Sequence, residues 1–346
     1  MRILVVRYET IGDTIFATAF LRNLKKNFSN AQIDLVGDNL SKELLCNCPY
    51  IDNIYCEKDI SRNPVKYYAV FAQYDRVYLL KNSRFFSIYS FLCGIKKRYG
   101  FRVKKVKFLT NSVPYNEDRQ EIECYLDLLR ADKISVDNSQ TELWDTPEKD
   151  EKIKDYIAKL TDDVALKTAV VHMHSRVKKK NWPEANWAQV IKFLSNEMNC
   201  RVFLTGAKKD IVKCENFCSN LDDNIKLKPI NIAGQLDLSE FKALIKKTDI
   251  TLSVDTGAIH IAAAYQKDSI LIHGPTSLKR WIPQNPNCRI VTLDYTCSPC
   301  VFQTDSVKLC KREKPRCLLE LTPDIVIKEI SLIFHKAQNQ ILCAVV

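Results

Sequence analysis

Four short segments carry side chains and backbone groups suited to handling a phosphorylated substrate. The first, Arg7-Tyr8-Glu9-Thr10-Ile11-Gly12-Asp13, runs from an apolar stretch into a helical one. Asp13 then stands at a helix N-terminus, where a carboxylate serves as a general base or simply caps the helix and answers its dipole. The second, His172-Met173-His174-Ser175-Arg176-Val177-Lys178-Lys179-Lys180-Asn181-Trp182-Pro183, joins a hydroxyl to several cations. Such a segment cradles a diphosphate or is a solvated basic loop. The third, Ser253-Val254-Asp255-Thr256-Gly257-Ala258-Ile259-His260, ends a strand and opens a helix of small residues. The backbone N–H groups of Thr256 and Gly257 would point at an anion there, or the segment is a tight turn without ligand. The fourth, His273-Gly274-Pro275-Thr276, is another turn at a strand end.

A fifth group is the run Cys297-Ser298-Pro299-Cys300, followed by Cys310 and Cys317. A CxxC knuckle with two further cysteines suits tetrahedral thiolate zinc or iron, whereas the alternatives are free buried thiols or one disulfide. Most of the other cysteines, such as Cys93, Cys124, Cys200 and Cys214, lie singly in apolar periodic segments and read as small reduced hydrophobes.

These segments need a scaffold that brings strand ends to one edge. Ile3–Val6, Ile33–Val36 and Val77–Leu80 read as strands, and Ala17, Phe20, Leu21, Leu24 and Phe28 recur at helical spacing. The stretch from Arg119 to Leu129 is helical, and between Asp137 and Lys152 the sequence turns polar, as an interdomain link would. The alternation then restarts, with strands at Ala169–Val171, Val202–Leu204, Ile250–Ser253 and Ile270–Ile272. Helices are predicted at Trp187–Glu197, Asp210–Leu221 and Phe241–Lys247, the last opened by a capping box of Asp237 and Glu240. Alternating strands and helices predict parallel sheets covered on both faces, an α/β fold. Five of the eight glycines (Gly12, Gly206, Gly234, Gly257 and Gly274) fall at or after strand ends, the edge at which open α/β sheets bind ligands.

The chain has 346 residues and a formal net charge of +11. The length suits two domains, and the charge suits a polyanionic partner or a lysine-rich surface. Met1–Arg7 reads as a buried strand rather than a leader, and no apolar run approaches the roughly 20 residues that span a bilayer. A cytoplasmic location with any membrane contact peripheral is the expectation.

In order and spacing, the chain resembles glycosyltransferase family nine, the lipopolysaccharide heptosyltransferases. The marks are Arg7…Ile11-Gly12-Asp13, Lys180-Asn181-Trp182-Pro183, Asp255-Thr256-Gly257…His260, and His273-Gly274-Pro275-Thr276 followed by Arg280-Trp281. The resemblance implies the GT-B architecture, two Rossmann-like domains with parallel sheets facing across a cleft. Residues 1–160 would form the acceptor-binding domain with the catalytic base, and 161–346 the nucleotide-sugar domain, with a last helix near Pro323–Phe334 returning to the first. It further implies an inverting transfer of heptose from ADP-heptose to the core of lipopolysaccharide or lipooligosaccharide.

The implied roles fall on particular positions. Asp13 matches the base and Lys180 the lysine that neutralises the donor diphosphate. Ser175, Asp210, Asp255, Thr256, Gly257 and His260 fall at donor-binding positions. Arg7, Lys81, Asn82 and Arg84, with the basic stretch Lys96–Lys107, lie where the family binds its anionic glycolipid acceptor, at the inner face of the inner membrane. No catalytic cofactor is implied, since a lysine and a helix dipole can replace a metal at the phosphates. A structural zinc or iron at Cys297, Cys300, Cys310 and Cys317 is the metal expectation.

Other readings remain beside this one. Another nucleotide sugar or a protein acceptor would use the same fold. An NAD-dependent oxidoreductase would need GxGxxG after the first strand, which is missing. A nucleic-acid-binding protein would need basic strips interleaved with aromatics, which the sequence does not show.

Overall fold

The computed structural model describes residues 1–161, 166–298, 300, 310 and 315–343, with side chains as far as 335. By contacts it divides into two compact units, Met1–Trp144 with Lys279–Gln284, and Asp145–Leu278 with Asn285–Val346.

In the first unit the strands are β1 (Arg2–Val6), β2 (Gln32–Gly37), β3 (Asn53–Cys56), β4 (Arg76–Leu79), β5 (Lys97–Arg102) and β6 (Asn111–Pro114). They lie all parallel in the order β3-β2-β1-β4-β5-β6. Ile3, Leu4, Val5 and Val6 are all buried, as a continuous apolar run must be in a sheet covered on both faces. The helices are α1 (Ile11–Asn27), α2 (Asn39–Leu44), α3 (Glu57–Arg62), α4 (Pro64–Phe71), α5 (Arg84–Leu92) and α6 (Glu121–Ala131). α1 packs against α6, and Leu24, Phe20 and Phe16 bury one face of it at helical spacing.

The second unit repeats the design. Its strands are β7 (Lys167–His172), β8 (Cys200–Leu204), β9 (Ile230–Asn231), β10 (Ile250–Val254), β11 (Ser269–Ile272) and β12 (Cys288–Val291), again all parallel. Read from β9, the order is β9-β8-β7-β10-β11-β12, the same topology as the first sheet. Its helices are α7 (Pro147–Leu160), α8 (Glu184–Asn196), α9 (Ile211–Ser219), α10 (Leu238–Lys247), α11 (Gly257–Ala264), α13 (Arg316–Leu319) and α14 (Pro323–Cys343). A short turn of helix, α12 (Leu278–Trp281), carries the chain from the second unit into the first.

The predicted strands and helices are all found, with ends shifted by a few residues. The capping box forms, Asp237 accepting from Glu240 N at 2.8 Å and Glu240 from Asp237 N at 3.0 Å. The division expected at residue 160 lies instead at Trp144. The cause is α7, whose Asp150 pairs with Lys246 at 2.8 Å and whose Lys152 pairs with Glu240 at 2.5 Å, both on α10. Just ahead of α7, the buried Asp145 faces the fully buried Lys242 at 3.5 Å. The last helix runs beyond the predicted Phe334, and Val326, Ile330 and Ile333 enter the core of the second unit.

In each sheet the strand order reverses between two central neighbours, β1 and β4 in the first and β7 and β10 in the second. Ligands of open α/β sheets bind beyond the carboxyl ends of such strands. Asp13 follows β1 and Lys81 follows β4; Lys180 follows β7 and Asp255 follows β10.

Candidate functional sites in the two units

In the first unit the link from β1 to α1 is tight. Glu9 takes φ +90°, a conformation that costs a non-glycine residue on the order of 1–3 kcal/mol. Its backbone N–H donates to Asp38 Oδ2 at 2.8 Å and its carboxylate pairs with Lys81, so the surroundings hold the turn in place. Thr10 is the N-cap of α1, and Asp13 sits in the first turn without capping it. The buried Asp13 receives the Thr10 hydroxyl and the Arg7 guanidinium, both on Oδ2. Arg7 is itself buried and lies 5.9 Å from the Tyr125 ring centroid. Burial opposes its charge, but Asp13 together with Tyr125, Glu121 and Glu9 outweighs burial and keeps it firmly protonated. Arg7, expected to face the acceptor, is thus paired with Asp13.

Lys81, Asn82 and Arg84 follow β4. Lys81 lies 5.6 Å from the Tyr8 ring centroid, Asn82 is half-buried, and the exposed Arg84 opens α5 behind its N-cap Ser83. The basic stretch folds beside an apolar one. Phe91 and Phe108 stack at 4.7 Å, both largely exposed, with exposed Leu92 next to Phe91 and the Arg98 guanidinium 5.4 Å from the Phe91 ring.

In the second unit Lys180 and Asp255 meet. The Lys180 ammonium lies 2.8 Å from Asp255 Oδ2, and the Thr276 hydroxyl donates to the same oxygen at 2.6 Å. His273 Nε2 is 3.1 Å from Thr276 Oγ1. Burial alone would raise the Asp255 carboxyl, but Lys180, then His273 and His260, hold it well below the usual carboxylate range. Thr256 caps α11, accepting from Ala258 N at 3.3 Å and lying 2.9 Å from Ser253 Oγ. Gly257 and His260 stand in the first turns of that helix, whose amino end is where an anion is favoured.

Ser175 accepts from Val177 N at 3.2 Å, and its own N–H donates to Asn181 Oδ1 at 2.7 Å, which shapes the basic loop. Trp182 anchors that loop by donating to Leu321 O at 3.0 Å. Asp210 is buried at the start of α9 and paired with Lys213 at 2.9 Å. The carboxylate lies close enough to His172 and His174 to act on their charge. Burial pushes the His172 imidazole down to about 4, so it is neutral at pH 7. A Cβ at Gly274 would stand 2.7 Å from Leu318 Cδ1, so any side chain there would push Leu318 aside.

Cys300 Sγ donates to Cys297 O at 3.0 Å, and burial, then Cys310 and Cys297, push its thiol up to about 11. Cys300 N donates to Pro275 O, and Lys179 Nζ to Cys310 O. Among the described residues, no group of three or more His, Cys, Asp or Glu is placed to hold a metal ion.

Both sheets have the strand order and switch-point loops of nucleotide-binding α/β proteins. A profile of glycosyltransferase family 9 (heptosyltransferase) matches residues 69–311. The chain belongs to glycosyltransferase family 9. It is 22% identical over 342 residues to lipooligosaccharide heptosyltransferase 2 of Campylobacter jejuni, covering 95% of this chain and 97% of that one. It is 24% identical to lipopolysaccharide heptosyltransferase 2 of Escherichia coli, covering 96% and 98%. The solved structure of the Escherichia coli ADP-heptose lipopolysaccharide heptosyltransferase II superposes with a TM-score of 0.81 at 20% identity, covering 98% of this chain and all of that one. The fold is thus the GT-B fold, and the protein is a glycosyltransferase.

Thr276 and His273 were given no individual role from the sequence and lie in the Lys180–Asp255 cluster, and Glu121 and Tyr115, also without one, lie within electrostatic reach of Asp13. Glu121 had a legible signal. It falls on the buried face of α6 with Ile122, Tyr125 and Leu128, where a carboxylate must have a partner.

Proposed function

We propose that this family 9 enzyme transfers heptose from ADP-heptose to the core of lipopolysaccharide or lipooligosaccharide. The observation that carries the reading is the Lys180–Asp255–Thr276 cluster at the switch point of the second sheet. It supplies a fixed cation, an amino helix end at Thr256–Gly257 and a buried carboxylate beyond β7 and β10. A sugar diphosphate needs such groups, since its departure leaves negative charge on the β-phosphate.

Asp13 is the base. Its Oδ2 is occupied by Thr10 and Arg7, so the other oxygen receives the proton of the acceptor hydroxyl. As that hydroxyl attacks the anomeric carbon, the bond to the β-phosphate oxygen breaks, and a single displacement inverts the centre. Lys180 neutralises the departing diphosphate, with Ser175, Thr256, Gly257 and His260 around the phosphates. Asp255 holds the sugar hydroxyls, and Asp210 lies towards the nucleoside. No catalytic metal is needed.

The acceptor is an anionic glycolipid, met by Lys81, Asn82 and Arg84, while Arg7 stays paired with Asp13. Peripheral contact with the inner membrane from the cytoplasmic side falls to Phe91, Leu92 and Phe108, beside exposed Lys104, Lys105 and Lys107. Each cation near an anionic leaflet contributes about 1 kcal/mol. No helix among the described residues is long and apolar enough to cross a membrane. A structural zinc or iron is supported by the cysteine spacing alone. Metal analysis of protein purified without chelator tests it, and less than a tenth of an equivalent would remove it.

The function is tested by incubating the enzyme with ADP-, UDP-, GDP- and dTDP-linked sugars and heptose-deficient core glycolipid, with product mass as readout. One added heptose from ADP-heptose is expected. Transfer from another donor, or to a protein acceptor instead, would overturn the substrate assignment.

A further inference from the structure

Arg280 and Glu121 form a second buried ion pair in the first unit. Arg280 is 2% exposed and Glu121 4% exposed, with 2.6 Å between Nη2 and Oε2. The Tyr115 hydroxyl lies 3.0 Å from both Glu121 oxygens, and Arg280 Nη1 donates to Glu117 O at 3.0 Å. The guanidinium lies 4.9 Å from the Tyr115 ring and 5.1 Å from the Trp281 ring.

This pair belongs to the surroundings of Asp13. Trp281 stacks on Phe16 at 6.1 Å, and Phe16 stands one helical turn from Asp13 on the same face of α1. Glu121 opens α6, which packs against α1, and Tyr125, one turn further, lies under the Arg7 guanidinium. The Asp13 and Arg7 charges both act on Glu121. The charged and titratable groups around Asp13 in this unit are Arg7, Glu121, Tyr115 and Tyr125, with Glu9 beside Arg7. Two carboxylates and two guanidinia are thus enclosed together. Buried ion pairs seldom stabilise a fold more than apolar packing would.

We propose that Glu121 and Arg280 are positioning residues, a charge-balanced pair that leaves Arg7 to Asp13 and sets the electrostatic potential at the base. The inference rests on the reading of Asp13 as base. Arg280 occupies Glu121, which would otherwise compete with Asp13 for Arg7. Asp13 then keeps a fixed Oδ2 partner and a constant orientation.

The test is the pH dependence of kcat/KM for the acceptor in Glu121→Gln, Arg280→Gln and the double variant. Glu121→Gln leaves Arg280 uncompensated, so the acid limb moves to lower pH by about half a unit or more, with kcat down about tenfold. Arg280→Gln moves the limb the opposite way, and the double variant brings it back towards the wild-type position. ADP-heptose affinity stays within about twofold throughout, because the pair does not bind donor. If one single variant fails to fold, the other and the double variant decide by the same signs. Limbs that stay in place in the folded variants overturn the proposal, and lost kcat without movement makes the pair structural only. Asp13→Asn separates the two readings. Wild-type transfer by that variant defeats the base assignment, whereas an inactive Asp13→Asn with unmoved limbs in the pair variants defeats only the role of the pair.

Discussion

The Lys180 ammonium and the Asp255 carboxylate are 2.8 Å apart, both largely buried, beyond the two strands that flank the switch point of the second sheet. Lys180 is therefore held in place by its partner, and Asp255 stays ionised because of it. Lys180→Ala leaves a buried carboxylate without its cation, which costs on the order of 3–5 kcal/mol. The double variant Lys180→Ala/Asp255→Asn recovers most of that stability but not ADP affinity. Urea unfolding and calorimetric ADP titration check the two expectations; restored ADP binding in the double variant would contradict the role given to Lys180.

Thr276 donates to the same carboxylate oxygen. Thr276→Val keeps the shape and removes a bond to a buried charged acceptor, with an expected loss of about 1.5–3 kcal/mol, whereas Thr276→Ser stays near wild type. Equal stability of the Val and Ser variants in urea would show that the hydroxyl contributes nothing.

Much of this was legible in the sequence. Runs such as Ile3–Val6 and Ile250–Val254 had to be buried parallel strands, and the marks Asp13, Lys180 and Asp255 fell in the segments that follow such runs. Edge strands were not legible: β3 and β6 have mixed polarity and half-buried faces, so their pattern matches a loop as well as a strand. The boundary at Trp144 falls inside the polar stretch from Asp137 to Lys152, but the membership of α7 in the second unit was hidden, because α7 has a single fully buried residue, Ile153, and its attachment to α10 runs through ion pairs. The partners of Asp13 were hidden for a different reason. Arg7 is near in sequence, but Glu121 and Arg280 approach from distant segments, and only the fold brings them together.

His172 gives a pH dependence with a definite sign. Its imidazole, hydrogen-bonded to Thr205 at 3.0 Å and lying 5.7 Å from Phe241, protonates only near pH 4 in the folded state. In the unfolded chain it protonates near 6.5, so between these values the unfolded state binds more protons. Stability is complete above about pH 6.5 and falls as pH drops towards 4, by up to about 3 kcal/mol. His172→Gln should flatten that part of the profile in urea unfolding; an unchanged acid slope would rule His172 out as its source.

The exposed Phe91–Phe108 stack and the cations around it predict binding to anionic vesicles. Cosedimentation should be strong with phosphatidylglycerol, weak with phosphatidylcholine, and reduced by added salt. Phe91→Ser/Phe108→Ser should reduce binding about tenfold or more at unchanged thermal stability. Undiminished binding would place membrane contact elsewhere.

Asp13 is proposed as the group that takes the acceptor proton, and single-turnover transfer by Asp13→Ala tests this most directly. With ADP-heptose bound at wild-type affinity, the rate of heptose transfer should fall by about 100-fold or more. Transfer at the wild-type rate would contradict the account.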